Sequence, residues 1–311
     1  MVRMAWRTSI PGFLVLLATC SEVSAAYVGD RFFPSTLAIT VPTAADFYNP
    51  PYFVRLPDTA TTREIDIPTT YSRLVTRDLS VFFTETFRVI DDVNSGRRSG
   101  FDNLVIGTQY QLYTNPAHQF IFTVGGTAAI GGTGSSQIAS SFSTLTPTVY
   151  IGKGFGDLPD SVAWLRPLTI SATAAVAVPT DSTSLTTTTL PTGATTLSET
   201  INPKILQLGF ALEYSLVNNY YTGANRTGTR YPEGWVPLVE FTMATPLNGP
   251  LAGKTTGTVN PGVIWVNRYL QIGVEAIIPI NASSGRDVGV RAQAHLYLPA
   301  IFPGLKPMFG N

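Results

Sequence analysis

Eleven segments of about ten residues with alternating hydrophobicity, an export signal at the N-terminus, and 13% charged beside 44% hydrophobic residues predict one fold class. It is all-β: a transmembrane antiparallel β-barrel of about 12 strands. Soluble domains carry about 25% charged residues, so something other than surface charge must keep this chain out of aggregates. A tilted strand of about ten residues crosses a bilayer, and its side chains point alternately to two faces. RPLTISATAAVAVPTD shows the pattern: Leu168, Ile170, Ala172, Ala174, Val176 and Val178 share one parity, and Thr169, Ser171, Thr173, Ala175 and Ala177 the other. A soluble sandwich needs large residues on its inner faces to fill a core about 10 Å thick. Here the bulk falls on one side, which assigns that side to lipid and the side of Gly, Thr, Ser, Gln and single charges to a lumen.

The chain opens with Arg3 and Arg7, an apolar stretch from Gly12 to Ala18, and the small residues Val23-Ser24-Ala25. This order reads as a secretory signal peptide over residues 1–25. The stretch is shorter than the about 20 apolar residues of a permanent span. Leu17-Ala18-Thr19-Cys20 leaves a lipoprotein signal open as the competing reading, with Thr unfavourable before the cysteine. Cleavage after Ala25 removes the single cysteine and with it any disulfide or thiol chemistry. Removing Arg3, Arg7 and Glu22 turns 20 basic and 20 acidic residues into 18 and 19, a net charge of −1. No field of that size attracts nucleic acid.

Residues 26–60 contain Pro34, Pro42, Pro50, Pro51 and Pro57 and read as a proline-rich periplasmic lead-in or plug. Parity requires a twelfth strand, because eleven would leave the N-terminus outside, and either STLAITV or YFVRL could supply it. Residues 61–298 form the barrel. TREIDIPTTYS is the weakest segment, and DLSVFFTETFRVI sets Leu79, Val81, Phe83, Phe87 and Val89 on one face. NLVIGTQYQLY, FIFTVGGTAAI, TLTPTVYIG and the segment quoted above follow. ILQLGFALEYSL, WVPLVEFTMAT, TTGTVNPGVIWV, YLQIGVEAIIPI and VGVRAQAHLYL complete the set, and residues 299–311 are a tail.

Outer-membrane barrels alternate short periplasmic turns with longer outer loops. Counting back from the C-terminus, residues 281–287, 179–203 and 91–102 are outer loops, and Asn267-Arg268 and residues 113–119 are inner turns. The long 217–234 connection breaks that rule. A two-residue Asn267-Arg268 turn would pair Val266 with Tyr269 and Val263 with Ile272. Phe155, Trp164, Tyr220, Tyr221, Tyr231, Trp235, Trp265 and Tyr269 gather near the inner ends, where amphipathic rings favour the interface.

Nothing in the chain reads as an enzyme. His118 lies in a turn and His295 has lumen parity, whereas an outer-membrane lipase needs a Ser–His pair on the lipid side. GKGFG lacks the Lys-Ser/Thr and the helix of a phosphate loop. No spacing suggests a metal site, and no cofactor is expected. The informative charges have lumen parity: Arg88, Glu213, Glu240, Glu275, Arg291 and His295. Neighbouring strands bring Glu213 near Glu240, and Glu275 near Asn260, Arg291 and Gln293. Buried charges are costly unless paired or wet, so these side chains are either a selectivity lining or a network that stabilises the interior.

VPLVEFTMATPLNG, TGTVNPGVIWV, LQIGVEAIIPIN and GVRAQAHLYL, with GKGFGDLP and WLRPL, resemble the outer-membrane transporter family named for the meta-pathway of phenol degradation, which is related to the long-chain fatty-acid channel group. The resemblance covers roughly residues 102–298. It implies a barrel of about 12 strands in the cell outer membrane, delivered to its lipid by the barrel-assembly machinery, that takes up small hydrophobic or aromatic molecules. The rival reading is a non-transporting structural or adhesive barrel whose Thr-rich loop is the working part. PAIFPGLKPMFGN departs from the terminal aromatic of such barrels.

Overall fold

The computed structural model describes residues 26–29, 31–189, 195–217 and 233–309. Residues 1–25, read from the sequence as a signal peptide and including Cys20, lie outside the described residues, as do Tyr220, Tyr221 and Tyr231. Among those described, twelve antiparallel strands close into a barrel. They are β1 (Phe47–Asn49 and Phe53–Arg55), β2 (Thr62–Leu74), β3 (Leu79–Asp92), β4 (Val105–Asn115), β5 (Phe120–Ala129) and β6 (Thr144–Gly154). β7 (Leu168–Pro179), β8 (Ile205–Tyr214), β9 (Gly234–Pro246), β10 (Thr256–Val266), β11 (Leu270–Pro279) and β12 (Gly289–Tyr297) complete it. All eleven alternating segments are strands.

The twelfth strand is YFVRL extended backwards, and STLAITV is not part of the wall. β1 is broken at Pro50-Pro51, since proline gives no N–H to a ladder. Its two pieces lie between β2 and β12: Phe47 pairs with Ser72 and Tyr297, and Val54 pairs with Asp66 and Arg291.

Side chains alternate as the sequence pattern requires. On β11, Gln271, Gly273, Glu275 and Ile277 are buried while Ile272, Val274 and Ile278 are exposed on the outer wall. The exposed set continues with Phe83 on β3, Ile106 and Tyr110 on β4, Leu208 on β8 and Phe241 on β9, the surface that meets lipid. Among the described residues no helix is long and apolar enough to cross a membrane.

Three local features differ from the sequence reading. Val266 pairs with Gln271 and Val263 with Val274, two residues from the predicted register. The cause is Asn267, whose Oδ1 accepts from the N–H groups of Tyr269 and Leu270 at 2.8 and 3.0 Å. That bond makes Asn267 the first residue of the turn and Arg268-Tyr269 its centre. A slip of two keeps every side chain on its face, so the lumen and lipid assignments are unchanged. Residues 91–102 continue as a hairpin, with Gly96–Phe101 paired to the end of β3. The Thr-rich connection likewise carries a hairpin, Thr183–Thr189 against Thr195–Ile201.

At the opposite end lie the β2–β3 turn, the 3-10 turn Pro116–His118 and the β10–β11 turn. The exposed rings of Trp164, Trp235 and Tyr269 sit there as well. His118 is exposed and meets Asp157 at 3.0 Å, and Lys153 reaches the same carboxylate at 3.0 Å. Burial pushes the Asp157 carboxyl up, but the hydrogen bonds with His118 and Lys153 outweigh it and hold the group below its ordinary value. The tail forms one helical turn, Leu298–Ile301, and returns to this end, where the N–H groups of Met308 and Phe309 bond the carbonyls of Leu74 and Val75 at 3.0 and 2.8 Å.

Candidate functional site: the barrel lumen

Residues 31–46 enter the lumen and fill its inner half. Their backbone has no strand partners along most of this run, so lumen side chains must satisfy it. Glu240 of β9 does the most. Its carboxylate accepts from three successive N–H groups, Leu37 at 2.8 Å, Ala38 at 3.0 Å and Ile39 at 2.9 Å. Gln271 accepts from the Ser35 N–H at 3.0 Å and donates to the Ser35 carbonyl at 2.5 Å. Gln109 donates to the Val41 carbonyl at 2.8 Å, Thr123 to that of Pro42 at 2.5 Å, and Ser72 to that of Ala45 at 2.7 Å. Gln111 accepts from the Ala44 N–H at 2.8 Å. Asp46 closes the segment by pairing with Arg73 at 2.8 Å and accepting from the Leu74 N–H at 2.7 Å.

The apolar side chains of the segment are seated over glycines. A Cβ on Gly273 would lie 2.6 Å from Leu37, one on Gly209 2.6 Å from Ile39, and one on Gly152 2.8 Å from Phe33 and 2.7 Å from Pro42. Around them Phe32 and Leu37 form one core with Val236, Leu238, Ile264, Val266 and Tyr297, and Phe33 packs with Val28 and Ile121. These wall residues have lumen parity and are bulky, so the inner lumen is greasier than Gly, Thr and Gln alone would make it. Arg31 is buried beside them and donates to Gln119 at 3.1 Å and to the carbonyls of Arg166 and Pro167.

Of the six residues singled out by lumen parity, three lie beside the plug. Glu240 anchors it. His295 bonds Asn49 at 2.8 Å and stacks on Phe47 at 4.7 Å between ring centroids. Glu213, paired across the ladder with Thr169 and one step diagonal to Glu240, is 1% exposed. Its carboxylate oxygens have no hydrogen-bond partner among the described residues.

The other three line the outer half. Glu275 pairs across the ladder with Arg291 and is bridged to it at 2.5 Å, and Asn260 approaches it at 3.5 Å. Arg88 stands among Glu64 at 3.6 Å, Asp66 at 3.5 Å and Asp102 at 3.2 Å. At the rim Arg55 pairs with Asp58 and Asp287, and Arg63 with Asp58. A cavity of about 250 Å³ lies between β2 and the β9–β12 wall in this half, with Leu56, Glu64, Asn260, Ile277 and Arg291 among its lining. The parity pattern identified the lumen charges, but it did not signal Gln109, Gln111, Gln271 or the seating glycines as plug contacts.

No protein-family model and no curated protein matches the chain. Among solved structures it is similar to an outer membrane channel from Pseudomonas putida F1, with a TM-score of 0.52 and 9% identity over 86% of this chain and 99% of that one. It is also similar to the KdgM porin, with a TM-score of 0.46 and 10% identity over 80% and 98% of the two chains. For the NanC porin the TM-score is 0.44 and the identity 7% over 79% and 98%. The first likeness is one of fold: a closed antiparallel barrel of the outer-membrane channel kind.

Proposed function

We propose that this barrel passes small, predominantly apolar or aromatic molecules across the outer membrane, with residues 26–46 as its gate and residues 1–25 as the signal that exports it. The observation that carries the reading is the seating of Phe33, Leu37 and Ile39 in glycine-floored grooves of the inner lumen. Side chains fill the interior of an eight-stranded barrel, while 16 to 18 strands leave an aqueous channel. Twelve strands with an apolar plug give a narrow, dry constriction, which disfavours a general porin. Apolar surface is held by desolvated walls at about 25 cal/mol per Å² buried, so an apolar solute can compete for the groove walls where a hydrated ion does not. The resemblance of the C-terminal strands to the meta-pathway transporter family supports the solute class.

The test joins two measurements on the reconstituted barrel and the gene. Loss of the gene should slow growth on dilute aromatic or fatty substrates, and the intact barrel should show near-background ion conductance. Removing residues 27–45 should raise that conductance while leaving Asp46 and β1 in place. Unchanged uptake after gene loss, together with no conductance from the shortened protein, moves the reading to a structural or adhesive barrel displaying its Thr-rich hairpin.

A further inference from the structure

We propose that the outer vestibule is a binding site for a small organic cation, an ammonium group carried on a compact apolar body. This deepens the transport reading and rests on it for its biological role, but not for its chemistry.

The cavity is a built site. Its volume of about 250 Å³ lies just under the roughly 300–1,000 Å³ of pockets for drug-sized ligands, which limits the occupant to about one ring. Leu56, Pro57 and Ile277 give it an apolar wall. Opposite them are Asn260, which is 1% exposed with its Oδ1 unpartnered, and, behind Asn260, Glu275, 2% exposed with Oε2 unpartnered. These two orphan atoms are acceptors, and a buried acceptor without a donor is costly. A ligand N–H group relieves that cost. Arg291 lines the same cavity; its Nη1 is bridged to Glu275 at 2.5 Å and its Nε is buried without a partner among the described residues, one free donor beside the two acceptors.

Charge points the same way. Glu64, Asp66, Asp102 and Glu275 face this half of the lumen against Arg88 and Arg291, four carboxylates against two guanidiniums. The rim residues Arg55, Arg63, Asp58 and Asp287 pair among themselves and do not change the difference. An anion entering would find both guanidiniums already ion-paired, with only the buried Nε atoms of Arg88 and Arg291 without a hydrogen bond among the described residues, and two carboxylates in excess. A cation finds the excess, with Glu64 at the cavity wall.

The experiment is calorimetric titration of the detergent-solubilised full-length barrel with benzylammonium, benzyl alcohol and benzoate, three probes with one ring and different charge. Benzylammonium should bind, weaken as salt is raised, and lose at least tenfold in affinity in Glu64→Gln and in Asn260→Leu. Glu213→Gln, on the plug side, should leave it unchanged. Retained heat-modifiable gel mobility shows that each variant is folded. Benzyl alcohol binding as tightly as benzylammonium, a preference for benzoate, or no binding of any probe overturns the proposal. Binding without any solute uptake keeps the site and removes the transport reading; uptake without binding does the reverse.

Discussion

The inner and outer halves of the lumen are built on the same strands and use opposite physics. On β9, Val236, Leu238 and Glu240 all turn inward to a dry plug, and Glu240 spends its charge on three backbone N–H groups. A few residues along the same ladder, Thr242 reaches the outer vestibule, where side chains pair with one another around a cavity. At Glu240 charge in the inner half is structural, because it is desolvated and partnered by backbone N–H groups. Around Arg88 charge in the outer half stays partly solvated, the Arg88 side chain being 34% exposed among its carboxylates, whereas the Glu275–Arg291 pair is buried in the wall. The same residue type at the same parity is therefore a backbone anchor at Glu240 and a partner in a side-chain ion pair at Glu275, and position along the barrel decides which.

The strongest way to break this contrast is to remove residues 27–45. Conductance should rise from background to resolved single-channel steps in planar bilayers, whereas neutralising the outer half with Arg88→Met should leave the barrel closed. Channel steps from the Arg88 variant alone would place the constriction in the wrong half.

Next in size is the anchor. Glu240→Ala strands the buried N–H groups of Leu37 and Ile39 and the part-buried one of Ala38, and a buried group left unsatisfied costs about 1–3 kcal/mol, so thermal unfolding followed by circular dichroism should show a loss on the order of 3 kcal/mol and brief channel openings. Arg88→Met should cost less than that, because its part-solvated carboxylates can be rehydrated when the guanidinium is removed. Equal losses would erase the difference between the halves.

A smaller and more specific effect is expected at the seats. Gly209→Ala puts a Cβ 2.6 Å from Ile39 and 2.5 Å from Thr173, and overpacking of that kind costs about 1–3 kcal/mol. The part of the loss due to Ile39 should vanish in the protein lacking residues 27–45, leaving only the contact with the Thr173 hydroxyl, which can rotate away. An undiminished loss there would assign the glycine to the wall itself. The smallest effect is ionic: added salt should change the outer half alone, since buried pairs are screened far less than exposed ones. A matching shift in plug release for wild-type protein would contradict a dry inner half.

Much of this molecule was legible beforehand. The eleven wall strands, their faces and the lumen position of Glu213, Glu240, Glu275 and Arg291 follow from a period of two, because lipid on one side of a strand tolerates no exchange of faces. That constraint is local, and each ten-residue segment carries it whole. The identity of the twelfth strand, the two-residue register slip at Asn267 and the role of Glu240 were not legible. STLAITV and YFVRL have equally good strand patterns; the choice falls to YFVRL because its neighbours β2 and β12 are open there, while Leu37 and Ile39 of STLAITV fit grooves over Gly273 and Gly209. Glu240 and Leu37 are 203 residues apart. A contact at such separation leaves no periodic trace in the chain, since it depends on barrel closure bringing a carboxylate and a glycine floor to one depth. The sequence by itself determined which side of each strand meets lipid, a matter of solvent. What fills the lumen was decided only by the closed barrel, a matter of shape.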